Sequence, residues 1–285
     1  YISIKDMSHI LPHIFSYDVT MARRYLSKNL LEDQQQFIRL LDEFEIDIFG
    51  IDSVEKAIDI EFSNLNEILE NLVEKEFLSR IERGKYCRTN FRDEKVIGCH
   101  LVSDGVIAYW SALNIHGLTE QFPNTVFIQT TKVKSEKSVF GVPYQFVKIN
   151  PRKRTNVQNE GFGNHRYAIT NIEKTIVDCF DLPQYSGGYS ELIRAFNEAE
   201  LDQDKLIESC KAINNLSAIK RIAFLAELLQ KKKLSRFLKF AETMVNPRYV
   251  LIDPFGIEEG VFNNKWKLRL NITEADILHM CNKQY

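Results

Sequence analysis

The chain has 285 residues, of which 44% are hydrophobic, enough for one large domain or two ordinary ones and too apolar for a disordered chain. The 37 Lys and Arg against 39 Asp and Glu leave a net charge of −2, so the molecule is not a polycation and any nucleic-acid surface has to be a local patch. No apolar run reaches the roughly 18–20 residues of a membrane span, and the opening Tyr1-Ile2-Ser3-Ile4-Lys5-Asp6 has no signal-peptide pattern.

In chain order, residues 1–32 predict a helical extension, with Asp18 or Thr20 starting a helix that runs to Lys28. Residues 33–94 predict a winged helix-turn-helix. Asp33 is placed to cap a first helix ending near Phe44, with Phe37, Leu40 and Leu41 on one face. Ser53 is placed to cap a short second helix over 54–58, and Ser63 a third. In that third helix Leu65, Ile68, Leu69, Leu72 and Val73 recur with the period of a one-sided apolar stripe. A hairpin follows over 77–88, with Gly84 supplying the positive φ of its tight turn.

Residues 95–285 predict a mixed α/β domain. Ser103-Asp104 is placed to cap a helix over 106–115 that ends at Gly117. Strands are expected at 125–130, 144–149 and 167–170, with a polar loop at 155–163. Thr170 to Glu173 matches a capping box, and the helix it opens stops before Pro183. Amphipathic helices are expected at 189–200, 204–213, 217–230 and 235–244. Strands at 249–252 and 265–270 and a short helix after Thr273 close the chain. The expected class is therefore α+β, an N-terminal winged helix-turn-helix followed by a mixed α/β C-terminal domain.

The chemistry points away from catalysis. GxSxG, P-loop, GxGxxG and kinase signatures are missing from the sequence. Five widely spaced Cys without a CxxC, and six His without a metal-binding pair, predict neither disulfides nor a metal site, and a reducing cytoplasm as the setting. No cofactor is expected. Glu173 and Asp178 lie five apart on one helix, about 500° of rotation, so they do not share a face. A metal-dependent nuclease centred on those two carboxylates is the rival reading. Tyr109, Trp110 and Trp266 read as core aromatics.

Basic runs are more informative. The hairpin region carries Arg80, Arg83, Lys85, Arg88 and Arg92 against Glu82 alone. Residues 132–154 carry Lys132, Lys134, Lys137, Lys148, Arg152, Lys153 and Arg154 against Glu136 alone. Lys231, Lys232, Lys233, Arg236 and Lys239 form a third run. The third helix is acidic, with Glu67, Glu70, Glu74 and Glu76 against Lys75. Carboxylates facing phosphates forfeit the counterion release that drives affinity. DNA contact is therefore expected from the hairpin (Arg80, Arg83, Lys85, Arg88) and from Ser63, Asn64 and Asn66 at the helix start. Lys132, Lys134, Arg152, Lys153 and Arg154 are expected as a second surface. A protein-interaction module without DNA binding is the alternative.

At Ser111-Ala112-Leu113-Asn114-Ile115-His116-Gly117-Leu118 the chain resembles the AbiEi family of antitoxins and related transcriptional regulators. The likeness continues through Tyr167-Ala168-Ile169-Thr170-Asn171-Ile172-Glu173-Lys174-Thr175-Ile176-Val177-Asp178, with Lys174 where the family usually shows Arg. It takes in Gly187-Gly188, then Leu251-Ile252-Asp253-Pro254 and Trp266-Lys267-Leu268-Arg269-Leu270-Asn271, and spans about residues 33–272. The resemblance implies an antitoxin of a type IV toxin-antitoxin system, which serves abortive infection of phage-infected cells. On that pattern the winged helix binds double-stranded operator DNA and represses its own operon. The C-terminal domain counteracts a cognate nucleotidyltransferase-like toxin and contributes to DNA binding. The family is not known for catalysis or a cofactor. The acidic third helix departs from its pattern.

Overall fold

The protein, seen in a computed structural model that describes residues 29–282, is a mixed α+β molecule in three layers. The helix expected at 18–28 lies outside those residues.

The front layer is built from α1 (Glu32–Glu43), β1 (Ile48–Gly50), α2 (Ile51–Ile58), α3 (Leu65–Glu74), β2 (Leu78–Glu82) and β3 (Lys85–Arg88). The strands form an antiparallel sheet in the order β1-β3-β2. The predicted stripe of α3 is buried through Leu65, Ile68, Leu69 and Leu72, and it meets Phe37, Leu41, Phe49 and Tyr86. Phe37 stands edge-on to both Phe49 and Phe62. Gly84 turns the hairpin at φ 72°.

The three expected caps do not form. α1 begins at Glu32, which leaves Asp33 inside the first turn, where its charge suits the helix dipole. α2 begins at Ile51 because the Ile51 N–H donates to the Gly84 carbonyl at 2.8 Å, a tertiary bond in place of a cap. Ser53 instead donates back to the Gly50 carbonyl. At α3 the cap position is Asn64 rather than Ser63, and its side chain makes no capping bond.

The middle layer is α4 (Glu94–His100) on a six-stranded sheet of order β6-β7-β5-β4-β9-β8. Its strands are β4 (Val106–Ile107), β5 (Val126–Thr130), β6 (Lys137–Val139), β7 (Val142–Lys148), β8 (Val157–Glu160) and β9 (Tyr167–Thr170). β5 runs parallel to β7 and β4 to β9; the other pairs are antiparallel. The single helix expected over 106–115 is two elements: Val106 and Ile107 form β4, one of the two central strands, and α5 (Tyr109–Ile115) starts after it. An apolar run that short carries no period to separate strand from helix. Asp104 is no cap; it accepts from the Thr130 hydroxyl and from the N–H and hydroxyl of Thr131. The loop expected at 155–163 contains β8, an edge strand.

The back layer holds α5, α6 (Ile172–Asp181), α7 (Tyr189–Glu198), α8 (Gln203–Ile213), α9 (Leu216–Leu228), α10 (Ser235–Met244) and α11 (Glu274–Asn282). It also holds a small sheet, β10 (Val250–Leu251), β12 (Leu268–Leu270) and β11 (Val261–Asn263), in the order β10-β12-β11.

β5 explains how the layers join. Val126 and Ile128 face one way, with Ile107, Tyr144 and Ile169, and pack against Ile81, Cys87 and Phe91 of the front layer and Val96 and Ile97 of α4. Phe127 faces the other way with Val147 and joins the helical core. The strand is buried on both faces, so its first half reads as an apolar run, Val126 to Ile128, rather than alternation, and its polar Gln129 and Thr130 are buried as well.

Candidate nucleic-acid interface

The hairpin presents its turn, Arg83-Gly84, beside a carboxylate that organises three lysines. Lys134 donates to Glu82 Oε1 at 2.7 Å, and Lys137 lies 3.6 Å from the same oxygen. Lys85 sits 3.3 Å from Glu82 Oε2 and donates to the Leu101 carbonyl at 2.6 Å. Two basic runs some fifty residues apart in sequence thus meet at one acid. Lys134 also lies over the Phe146 ring. Lys132, in the same loop, and Arg83 are exposed, with no ion-pair partner among the described residues. His100 lies beside Lys85; burial, then that charge, hold its pKa below 6.5, so it adds no positive charge at neutral pH.

Burial works to raise the Glu82 carboxyl, but the bonds and charges of Lys134 and Lys85 outweigh it and hold its pKa below the ordinary 4.5. A depressed carboxyl stabilises the fold above its unfolded pKa and loses that contribution as pH falls through the folded one. Glu82→Gln is therefore expected to lower the melting temperature at pH 7, and the gap between the two proteins is expected to narrow as pH falls below the ordinary 4.5 and to close once the folded carboxyl is protonated. A gap that persists unchanged into acid would contradict this account of the cluster.

The other candidates are placed differently. Arg80 is paired with Glu70, lies over the Tyr86 ring and donates to the Tyr86 hydroxyl. Arg88 is paired with Asp42 and donates to the Ile38 carbonyl. Those two guanidiniums brace the acidic helices instead of pointing freely outward. Ser63, Asn64 and Asn66 are exposed at the start of α3. Arg152 and Arg154 are exposed, but Lys153 pairs with Asp181 at the end of α6, and their 3-10 turn packs on α8. This places the run with the helical layer, on the opposite side of the central sheet from the hairpin. In the third run, Lys231 donates to the Asn197 and Ala199 carbonyls and Arg236 pairs with Asp204.

The segments that carry the family resemblance tie elements of the molecule together. Ser111 Oγ donates to the Thr125 carbonyl and accepts from Phe127 N–H, joining α5 to β5. His116 Nε2 lies 2.7 Å from the Thr170 carbonyl, joining α5 to β9. Gly187 lies against Trp110: a Cβ there would stand 2.5 Å from the indole, and its φ is 80°. Asp253 and Asn271 exchange two bonds, backbone N–H to Asn271 Oδ1 and Asn271 Nδ2 to the Asp253 carbonyl.

The expected capping box is replaced. Asn171 caps α6 by accepting from Lys174 N–H, and Glu173 accepts from Asp202 N–H at 2.8 Å, linking α6 to the start of α8. Asp178 is fully buried, bonded to Lys174 and to Gln129 Nε2. Glu173 and Asp178 therefore serve different partners, and they are not brought together as a nuclease centre. No group of three or more His, Cys, Asp or Glu among the described residues is placed to hold a metal ion. No described helix is long and apolar enough to cross a membrane.

Comparison with known protein families gives no match. Comparison with curated proteins gives none either. Among solved structures, the chain is similar to the crystal structure of the RV2827C protein from Mycobacterium tuberculosis, with a TM-score of 0.58 and 13% identity over 89% of this chain and 96% of that one. At that identity the likeness is one of fold.

Proposed function

We propose that the protein is an AbiEi-like antitoxin and transcriptional regulator of the cytoplasm, whose front layer is a winged helix-turn-helix that grips duplex operator DNA with the tip of its hairpin. The observation that carries the DNA reading is the meeting of Lys85, Lys134 and Lys137 around Glu82, with Arg83 exposed in the adjoining turn and Lys132 exposed in the loop that carries Lys134. The helix–strand–helix–helix–hairpin order supports the motif. Glu67, Glu70 and Glu74 are exposed on α3, so that helix is unsuited to lie along phosphates. The hairpin tip, helped by Ser63, Asn64 and Asn66, takes the contact instead. The cognate nucleotidyltransferase-like toxin as partner rests on the sequence resemblance. So does a role without catalysis, which the buried bonding of Glu173 and Asp178 favours.

Arg83→Glu combined with Lys132→Glu tests the reading, because both side chains are exposed and neither braces the fold. In a gel-shift salt series on the DNA upstream of its gene, affinity is expected to fall at least tenfold. The slope of log K against log salt is expected to flatten by roughly 2, near 0.9 for each phosphate that is no longer neutralised. An unchanged affinity and slope would remove the hairpin from the interface. One observation favours a second reading: Ile81 and Cys87 of the hairpin are buried against the central sheet, as a purely packing element would be. Wild-type protein with no DNA affinity at low salt would select that one.

A further inference from the structure

β11 is the edge of the small sheet, bonded to β12 on one side and to no other strand among the described residues. Edge strands are ordinarily protected from pairing with another chain by a Lys, a Pro or a covering loop. Here Val261 and Phe262 are 69% and 58% exposed, and the segment leading in leaves Phe255 and Ile257 60% and 74% exposed. Val261 is registered with the buried Leu270, on the same side of the sheet, yet is itself exposed. Phe262 lies on the outer side, against the Tyr249 ring and over Arg269. The strand's two ends carry opposite charge. Glu258 and Glu259 precede it, exposed and without an ion pair among the described residues; Lys265, which pairs with Glu227 and Glu242, and Lys267, which has no ion pair among the described residues, follow it.

We propose that β11 pairs antiparallel with β11 of a second copy of this chain, across a two-fold axis near Phe262, so that the two small sheets become one sheet of six strands. A two-fold axis perpendicular to the sheet reverses the partner strand. The Glu258–Glu259 end of each copy then meets the end of the other that carries Lys267, the cation there without an ion pair of its own among the described residues, twice over, so the patch is its own electrostatic complement. A parallel pairing sets acid beside acid and is disfavoured. The same antiparallel arrangement brings the two Phe262 rings together at the axis and covers Val261 and Ile257, apolar surface that is otherwise left in water. The hairpin face that carries the DNA proposal takes no part, so either idea stands or falls without the other.

Sedimentation of the full chain from about 1 to about 100 µM is the test, over the range where edge pairing of moderate affinity is populated. Wild type is expected to shift toward dimer as concentration rises. Phe262→Lys puts a charge on the edge through an exposed side chain and is expected to give monomer with an unchanged circular dichroism spectrum. Glu258→Lys with Glu259→Lys is expected to weaken the dimer at least tenfold, and adding Lys267→Glu to that variant to recover it. A wild type that stays monomeric throughout overturns the proposal and leaves the edge to a strand from a different protein. A dimer untouched by Phe262→Lys overturns it equally, because the contact then lies elsewhere.

Discussion

Replacing Asp178 with Ala is expected to cost about 3–5 kcal/mol of folding stability, the range for breaking a buried ion pair from one side. Lys174 and Asp178 sit one helical turn apart on α6, with both side chains sealed from water. Without the carboxylate, the Lys174 ammonium is left in a dry interior where a lone charge is costly. Gln129 Nε2 loses one of its two acceptors, keeping only the Tyr109 hydroxyl, and its own Oε1 already has no hydrogen-bond partner. Converting both members, Lys174→Met with Asp178→Leu, is expected to recover most of the loss, since a buried pair replaced by apolar groups of similar size is often neutral. Denaturant titration of Asp178→Ala and of the double variant beside wild type reads this directly as midpoint shifts at constant slope. A single variant within about 1 kcal/mol of wild type would show that the pair is dispensable.

Trp266→Ala is expected to be comparably damaging, about 3–5 kcal/mol, through a cavity in the back layer. Trp266 is fully buried in the turn between β11 and β12, and its Nε1 donates to Glu227 Oε2 at 2.7 Å. Lys265 closes over the ring and bonds the other oxygen of the same carboxylate. Removing the indole empties the site and takes away one of the donors that hold Glu227. Trp266→Phe keeps most of the volume and is expected to cost less than half as much, so the difference separates packing from the hydrogen bond. Thermal unfolding of the three proteins distinguishes the cases; equal losses for Ala and Phe would place the whole effect in the missing bond.

The sequence is most legible where periodicity runs long. The helices of the back layer and the stripe of α3 announce themselves through apolar spacing, because each has one face to bury. Short strands have no such signal. Val106-Ile107 reads as the opening of a helix, and β1, β6 and β11 are too brief for alternation to register. β8, Val157-Gln158-Asn159-Glu160, is mostly polar because it lies at the sheet edge. The expected cap at Ser53 gives way to the bond from Ile51 N–H to the distant Gly84 carbonyl, which no local pattern encodes; at α1 the Leu31 N–H bonds the Gln34 side chain instead of Asp33 capping, and at α3 the cap position moves from Ser63 to Asn64. The candidate interface is half legible. Its cations stand out as runs, yet what joins them is Glu82, a residue that in sequence only dilutes the hairpin's charge. Likewise, charge alone cannot reveal that Arg80 and Arg88 are occupied by Glu70 and Asp42.

The hairpin's position has a consequence for how the molecule behaves as a whole. One of its flanks, through Leu78 and Tyr86, belongs to the front core, and the other, through Ile81 and Cys87, belongs to the core beneath the central sheet. It is a wedge shared by two interiors, so neither interior is complete without it. Detaching the front segment leaves both fragments with a wet, greasy scar, and melting either half withdraws support from the other. A force applied at the hairpin tip is therefore transmitted to the sheet as strain, not absorbed by a supple joint.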